Sequence, residues 1–230
     1  MKRHPLFKYS IYKYTLIGMG LIWFLLSLMG CSLFKSKEAK ELEKTPESLI
    51  MEGLDAYQRK RYEKAGEAFQ NLKDRFPYNS YAIVAELKLA DSHFLNKEYL
   101  LAATSYKEFE KLHPANEIIP YVIFQLGQCY FKQMPTIDRD PSNTLEAVKE
   151  FERLIKNYPQ SEYASQAETK LLKAKKNLAA HEFFIGEFYY HQNNYKAALV
   201  RFEGIVKEFP DSTYPSKLKH YINICKEKLK

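Results

Sequence analysis

The sequence predicts an all-α fold in which helix hairpins stack in a row. A block recurs four times: an alanine, an aromatic residue four positions later and a proline eight positions after that. The blocks are Ala65–Phe69–Pro77, Ala102–Tyr106–Pro114, Ala147–Phe151–Pro159 and Ala198–Phe202–Pro210, each preceded by a small residue at Gly53, Ala90, Gly127 or Gly186. Runs of β-branched residues and Gly/Ser turn clusters are scarce, which also favours helices. Such a repeat indicates a solenoid, because one hairpin cannot bury its apolar face alone, and solenoids mostly bind partners.

Two segments carry a second signature of the same repeat. Leu126-Gly127 with Tyr130, and Ile185-Gly186 with Tyr189, place a small residue and an aromatic on the first helix of a hairpin. Together with the four blocks they resemble the tetratricopeptide repeat, whose closing proline ends the second helix because it lacks an N–H donor. The expected fold is a tetratricopeptide-repeat superhelix of about four and a half to five hairpins. The alternative is an ordinary helical bundle with coincidental spacing.

The repeats are expected at about 46–77, 80–114, 117–159 and 162–210, with a capping helix at 214–229. Thr45-Pro46-Glu47 predicts the first helix start, since threonine caps N–H groups and proline suits the first helical position. The first three helix pairs are expected at 46–59 with 61–75, 81–96 with 98–112, and 117–133 with 143–157.

Two repeats depart from the common spacing. Gly127 and Ala147 are separated by eight more residues than their counterparts, and the extra segment contains two prolines, which predicts a loop at 134–143. Pro159 and Gly186 are 27 positions apart instead of 13, with no proline or glycine between them. This spacing predicts one helix from about 162 to 192, whose early half overhangs the stack, followed by a partner helix at 195–208.

The first 30 residues form a candidate secretory signal, with a basic start, an uncharged stretch from Tyr14 and then Leu28-Met29-Gly30-Cys31. This end resembles a bacterial lipobox, which implies cleavage before Cys31, acylation of that cysteine by chains such as palmitate, and an acylated tether over 31–44. With Ser32 after the cysteine, the resemblance implies a lipid anchor at the periplasmic face of the outer membrane. The alternative is a transmembrane anchor, because Tyr14 to Phe34 are 21 uncharged residues and about 20 suffice to span a bilayer.

Charge gives little support for nucleic-acid binding. The net charge is +7, but Lys2, Arg3, Lys8 and Lys13 lie in the predicted signal. Without residues 1–30, 31 basic residues remain against 28 acidic ones, a net charge of +3. These charges interleave along the predicted helices, so no nucleic-acid partner is expected.

The sequence offers no constellation for catalysis. A Gly-rich phosphate loop, a His-Glu-x-x-His motif and a Cys-x-x-Cys motif are all missing. We therefore expect no enzyme activity and no cofactor beyond the covalent lipid on Cys31. Cys129 and Cys225 fall on different, distant helices, so buried free thiols are expected, and a disulfide is the alternative.

A lipobox followed by helical repeats, with Asp138-Arg139-Asp140-Pro141 inserted in the third, resembles the BamD family of outer-membrane lipoproteins. The similarity covers nearly all of the mature chain and is most specific from Asp138 to Pro210. It implies a non-enzymatic scaffold of the machinery that assembles and inserts β-barrel proteins. The implied partners are the POTRA domain of a BamA-type barrel protein, at the C-terminal repeats, and unfolded outer-membrane proteins, at the N-terminal repeats.

The resemblance also implies site residues. Arg201, with Glu203 and Gly204 beside it, would face the POTRA partner. From the residues alone, Arg201 lies near the middle of a helix and can point outward, so a partner contact and a solvent-exposed ion pair both remain open. Asp138, Arg139 and Asp140 are further partner-contact candidates, and the alternative is a loop that braces itself through Arg139.

Four tyrosines near the first repeat are candidates for gripping an extended polypeptide: Tyr57, Tyr62, Tyr78 and Tyr81. A tyrosine ring is apolar and carries a polar tip, which suits this task, although packing between helices is the alternative. The family's Pro-Phe-Gly-Pro-Tyr segment reads Pro77-Tyr78-Asn79-Ser80-Tyr81 here. Asn79 is expected to keep the bend by adopting a left-handed conformation.

Two other functions compete with the assembly scaffold. One is a different tetratricopeptide lipoprotein that helps to assemble pili or regulates cell-wall enzymes. It would be favoured if the loop at 134–143 were dispensable and no barrel-assembly partner co-purified. The other is an enzyme that uses the groove between repeats, which would require convergent titratable groups on the concave face.

Overall fold

Residues 44–210 and 215–230 are described by a computed structural model, and all regular structure within them is α-helical. The chain divides into two units between Leu49 and Ile50. In the first unit, Thr45 Oγ1 accepts a hydrogen bond from the Ser48 N–H at 3.2 Å, so the threonine caps the helix that begins at Pro46, as predicted. Cys31 and the predicted signal lie outside the described residues.

The described helices lie within two residues of their predicted bounds. They are α1 (Pro46–Gln58), α2 (Tyr62–Arg75), α3 (Ala82–Leu95), α4 (Tyr99–Leu112), α5 (Ile119–Phe131), α6 (Ser142–Asn157), α7 (Glu162–His191), α8 (Tyr195–Glu208) and α9 (Pro215–Lys228). In the unit from Ile50 onward, each helix from α2 to α8 packs against its successor in the chain. The predicted all-α fold of consecutive helix hairpins is confirmed.

A close contact between a small residue on the first helix and an aromatic ring on the second recurs in three hairpins. A Cβ added at Gly53, Gly127 or Gly186 would lie 2.4, 2.6 or 2.5 Å from a ring atom of Phe69, Phe151 or Phe202, respectively. All three rings are fully buried, so they have little room to move. The recurrent glycine and phenylalanine therefore set the separation of the two helices in each hairpin.

The second hairpin uses Ala90 and Tyr106 at these positions, both fully buried. The hydroxyl of a buried tyrosine needs a partner, and Asp91 Oδ1 accepts the Tyr106 hydrogen bond at 2.8 Å. Tyr121 of α5 donates to the same oxygen at 2.7 Å, and Lys88 Nζ lies 2.8 Å from Asp91 Oδ2. One buried carboxylate therefore joins α3, α4 and α5.

Left-handed residues make the tight turns inside three hairpins. Lys60, Lys97 and Asn193 have φ values of 58°, 65° and 58°. In the second hairpin, the N–H of Lys97 donates to Phe94 O and the N–H of Glu98 donates to His93 O, and the other two turns repeat this pattern. The left-handed residue thus lets the N–H groups of the turn bond the carbonyls that end the preceding helix.

Asn79 is not among the described residues with a positive φ, so its predicted left-handed conformation is wrong. Its side chain makes the bend instead, because Asn79 Oδ1 accepts a hydrogen bond from the Tyr81 N–H at 2.9 Å. This is an Asx turn, which an asparagine forms without leaving the right-handed or extended regions.

The long helix α7 has 30 residues, as predicted, but its early half does not overhang the stack. Ala164 and Ala167 are buried there, and Ala167 packs in the core of the second and third hairpins. The Tyr163 ring centroid lies 5.5 Å from that of Phe124 on α5. The overhang prediction is wrong because small residues let this half of α7 pack on α5 and α6.

Helix α9 packs against the fourth hairpin. Its Leu218 and Cys225 are buried in one cluster with Phe183 and Phe202. Cys129 and Cys225 are both buried and free, which confirms the expected thiols. Burial raises the pKa of the Cys129 thiol to about 12, so this cysteine stays protonated at neutral pH.

Candidate partner-docking sites

A concave surface with a volume of about 720 Å³ lies between the second half of α7 and helix α8. Charged and apolar side chains share its lining, among them Glu182, Tyr189, Val200, Arg201, Gly204 and Phe209. Val200 is 65% exposed although it is apolar. An exposed apolar side chain within a concave, charged lining is typical of a surface that contacts another protein.

Arg201 makes an ion pair within the chain. Its Nη1 lies 2.8 Å from Glu182 Oε2, and the two side chains are 43% and 30% exposed. A pair this open to water contributes about 0–1 kcal/mol to stability. The pair holds the guanidinium over the concave surface and leaves its remaining N–H groups accessible.

Glu203 and Gly204 have different surroundings although they are adjacent. Glu203 Oε1 lies 2.8 Å from Lys226 Nζ, so this carboxylate braces α8 against α9. Gly204 lines the concave surface one turn after Arg201, and a Cβ added there would meet nothing within 4 Å. Of the three residues implied by the family motif, the structure therefore brings Arg201 and Gly204 together and places Glu203 elsewhere.

Asp138, Arg139 and Asp140 are all exposed in the loop between α5 and α6. Asp140 Oδ1 accepts a hydrogen bond from Ser142 Oγ at 3.0 Å. A hydrogen bond from Thr136 lowers the pKa of Asp138 below its usual value. The side chain of Arg139 forms no ion pair or hydrogen bond with the residues that the structure describes. The loop is therefore braced by the two hydroxyl residues and by the Arg139 backbone N–H, which donates to Thr136 O at 3.1 Å, and not by the Arg139 side chain.

The same loop is tied to α7 and to the end of α5. His181 Nδ1 lies 2.7 Å from the carbonyl oxygen of Ile137. Because a carbonyl only accepts, Nδ1 carries the proton. Asn143 Nδ2 donates to Gln133 O at 3.1 Å, and Thr144 Oγ1 donates to Asn177 Oδ1 at 3.1 Å. These bonds fix the position of the loop, so the exposed Arg139 has a defined place on the protein surface.

The four candidate tyrosines are not gathered into one cluster. The Tyr57 and Tyr62 rings meet edge to face at 5.6 Å, whereas Tyr78 is fully exposed and Tyr81 is 37% exposed. Lys88 Nζ lies 4.9 Å from the Tyr57 ring centroid. Burial, followed by the charge of Asp91, raises the pKa of Tyr57 to about 12. Tyr57 thus lies beside a polar group, containing Lys88 and Asp91, that was not among the predicted residues.

Sequence reasoning missed that group, which we name the Asp91 network: Lys88, Asp91, Tyr106, Tyr121, Gln125 and Gln128. Gln128 Nε2 donates to Gln125 Oε1 at 2.7 Å, and Gln125 Nε2 donates to Tyr121 OH at 2.9 Å. Tyr121 OH in turn donates to Asp91, so the bonds run in one direction to the buried carboxylate. The available sequence signal for this network was Asp91 itself, which follows Ala90 on the first helix of the second repeat. Aspartate is seldom buried without a partner, so its place beside a core position indicated a polar contact.

No helix within residues 44–210 and 215–230 is long and apolar enough to cross a membrane. The predicted acylation site, Cys31, is not among these residues.

A family model and several individual relatives place this chain in the same protein family. The model of the family YfiO, described as an outer membrane lipoprotein, matches residues 42–229. The outer membrane protein assembly factor BamD of Rickettsia prowazekii is 31% identical over 202 residues, which cover 88% of this chain and 77% of the relative. The factor of the same name from Vibrio cholerae is 26% identical over 195 residues, 80% of each chain.

Among solved structures, the TPR2AB domain of yeast Sti1, in its complex with pHSP90, is 14% identical with a TM-score of 0.45. That comparison covers 80% of this chain and 70% of the yeast chain. The family match contains all nine described helices. It therefore includes both the α7–α8 concave surface and the Asp91 network. The chain therefore belongs to the YfiO family of outer membrane lipoproteins, together with the BamD assembly factors.

Proposed function

We propose that the protein is a non-enzymatic scaffold that assembles β-barrel proteins into the outer membrane. The observation that carries the proposal is the family match over residues 42–229, together with the concave surface that Arg201 and Gly204 line. In this proposal the concave surface binds a POTRA domain of a BamA-type barrel protein. The first three hairpins, with Tyr57, Tyr62, Tyr78 and Tyr81, receive unfolded outer-membrane proteins.

The geometry at Gly204 supports a close protein contact. Glycine in a helix interior lowers stability by about 0.5–1 kcal/mol relative to alanine, and no neighbouring atom within the chain requires its small size. A partner backbone that approaches α8 closely beside Arg201 supplies such a requirement. The braced Asp138-Arg139-Asp140 loop offers a second partner contact through the exposed Arg139.

The test is recovery of the tagged protein from detergent-solubilised outer membranes, with its companions identified by mass spectrometry. We expect a POTRA-containing barrel protein, and we expect Arg201→Glu to abolish its recovery. Lys149→Glu is the matched control, because it reverses a charge at a side chain that is 67% exposed on another helix. Recovery of pilus or cell-wall components instead would contradict the scaffold and favour the other kind of tetratricopeptide lipoprotein.

We also propose that acylated Cys31 anchors the protein to the periplasmic face of the outer membrane. Trp23, the only tryptophan, precedes that cysteine, so cleavage leaves a mature protein whose fluorescence comes from tyrosine alone. Cys31→Ala is expected to leave the signal uncleaved and the tryptophan emission present. Tryptophan emission from the purified wild-type protein would contradict cleavage at this site.

A further inference from the structure

A second concavity adjoins the α7–α8 concave surface at the end of helix α8. Its volume is about 360 Å³. From α7 it takes Leu172, Lys175 and Lys176, and from the end of α8 it takes Lys207, Glu208 and Phe209. The three α8 residues also line the α7–α8 concave surface. The two concavities therefore meet at the last turn of α8, and one partner can contact both.

The extra length of α7 builds one wall of the second concavity. Helices α1, α3 and α5 begin seven or eight residues before the small residue of their hairpin, whereas α7 begins 24 residues before Gly186. Leu172, Lys175 and Lys176 all lie in this added segment. A first helix of the usual length would begin after them. The second concavity therefore depends on the feature that distinguishes the fourth repeat in the sequence.

The floor of the second concavity is apolar. Leu172 is 44% exposed, whereas Ala174 and Leu178 on the same helix are buried. Leu172 therefore points away from the core and into the concavity, where the half-buried Phe209 ring also lies. A volume of about 360 Å³ is comparable with that of the smaller ligand pockets, which begin near about 300 Å³. The second concavity is therefore large enough to accept an apolar side chain of a partner.

The rim of the second concavity is positively charged. Residues 168–177 of α7 contain four lysines and one glutamate. Lys175 Nζ lies 2.6 Å from Glu152 Oε1, so this charge is balanced within the chain. Lys176 and Lys207 add two positive charges from the two walls against the single negative charge of Glu208. Positive charge around an apolar floor favours a partner that presents carboxylates.

We propose that the second concavity binds a segment of the POTRA partner in which carboxylates flank an apolar side chain. The apolar side chain packs on Leu172 and Phe209, and the carboxylates approach Lys176 and Lys207. A partner docked at Arg201 already reaches the residues that the two concavities share, and this continuity favours the same protein over a lipid headgroup. The inference rests on the proposed function and adds the chemistry that the partner must present beyond its contact with Arg201.

The test measures the affinity of the full chain in detergent for the purified POTRA region of its barrel partner. Leu172→Ala and Lys176→Glu are the informative variants, because both residues line the second concavity and neither lines the α7–α8 concave surface. We expect Leu172→Ala to raise the Kd at least about fivefold, since burying the exposed part of a leucine contributes about that factor. We expect Lys176→Glu to raise it at least about tenfold at low salt and less at high salt, because salt screens a charge at the rim.

Two controls separate docking from folding. Leu112→Ala changes a leucine that is 52% exposed on α4, and Lys149→Glu reverses a charge on α6. Both controls are expected to keep the wild-type affinity, and all four variants are expected to keep the thermal midpoint, because the altered side chains are exposed.

The outcomes for the second concavity and for the scaffold are distinguishable. Wild-type affinity in Leu172→Ala and Lys176→Glu, together with a loss of affinity in Arg201→Glu, would overturn this inference and leave the scaffold standing. No binding of the POTRA region by the wild type would overturn both. Vesicles of phosphatidylglycerol test the other occupant. If Lys176→Glu weakened binding to these vesicles but kept its affinity for the POTRA region, the concavity would belong to a lipid headgroup and the inference would be wrong.

Discussion

At the scale of single residues, glycine has opposite consequences at Gly127 and Gly204. A Cβ at Gly127 would lie 2.6 Å from the buried Phe151 ring, whereas a Cβ at Gly204 would meet nothing within 4 Å. The first glycine is required by packing inside the chain. The second lowers helix stability without any packing requirement inside the chain, and the docking that we propose would supply one.

The two glycines give a matched pair of substitutions. We expect Gly127→Ala to lower the free energy of unfolding by about 1–3 kcal/mol, because a fully packed ring must move. We expect Gly204→Ala to raise it by about 0.5–1 kcal/mol, because alanine favours the helix. Urea unfolding followed by circular dichroism measures both, and two changes of the same sign would contradict the packing described here.

The tyrosines around Asp91 predict a loss of stability in alkali. Burial, followed by the Asp91 charge, raises the pKa of Tyr106 and of Tyr121, and raises that of Tyr57 to about 12. Each folded-state pKa exceeds the unfolded value of about 10, so the stabilising contribution is complete below that pH. It is lost as pH rises toward the folded-state value, because only the unfolded chain then ionises.

We therefore expect the urea midpoint to fall between pH about 10 and about 12. Tyr121→Phe removes one of these groups, so its midpoint should start lower at neutral pH and fall less steeply. Two results would contradict the effect of burial and of the Asp91 charge on these tyrosines. One is a wild-type urea midpoint that stays constant across this pH range. The other is a midpoint that falls equally steeply with pH in the wild type and in Tyr121→Phe.

At the scale of the helix hairpin, the turn between the two helices is set by one left-handed residue. Lys97, with a φ of 65°, is exposed and makes no packing contact that requires lysine. Glycine adopts this conformation without steric cost. We expect Lys97→Gly to raise the free energy of unfolding by about 0.5–1 kcal/mol, and Lys149→Gly, inside helix α6, to lower it by about 1 kcal/mol. Destabilisation by both would contradict the role assigned to the turn.

The hairpins were predictable from the sequence because their determinants are local. The alanine, aromatic and proline of each block lie within one helix and its end, and the small residue lies on the preceding helix. The residues that bond Asp91 were not predictable, because Tyr106 and Tyr121 are 15 and 30 residues away and only packing brings them to one oxygen. The early half of α7 was misplaced for the same reason, since Ala164 and Ala167 do not reveal which neighbour they contact.

At the scale of the whole molecule, the two candidate sites lie in different hairpins and use different chemistry. The α7–α8 concave surface offers an arginine, an exposed valine and an open glycine. The first three hairpins offer tyrosine rings and the side-chain amides of Gln125 and Gln128. The motif predicted Arg201 and Gly204, but their surroundings came from the structure, because the Glu182 partner of Arg201 lies 19 residues earlier on another helix.

The most direct test of the scaffold is a charge exchange across the Glu182–Arg201 pair. The affinity of the full chain for the purified POTRA region of its barrel partner would be measured for Arg201→Glu and for Arg201→Glu combined with Glu182→Arg. The double variant restores the internal ion pair with reversed charges, so folding is maintained while the group presented to the partner stays changed. We predict that both variants lose affinity by at least about tenfold, as expected when one buried charge contact at an interface is removed. Recovery of wild-type affinity in the double variant would show that Arg201 acts only within the chain and would contradict the proposed docking site.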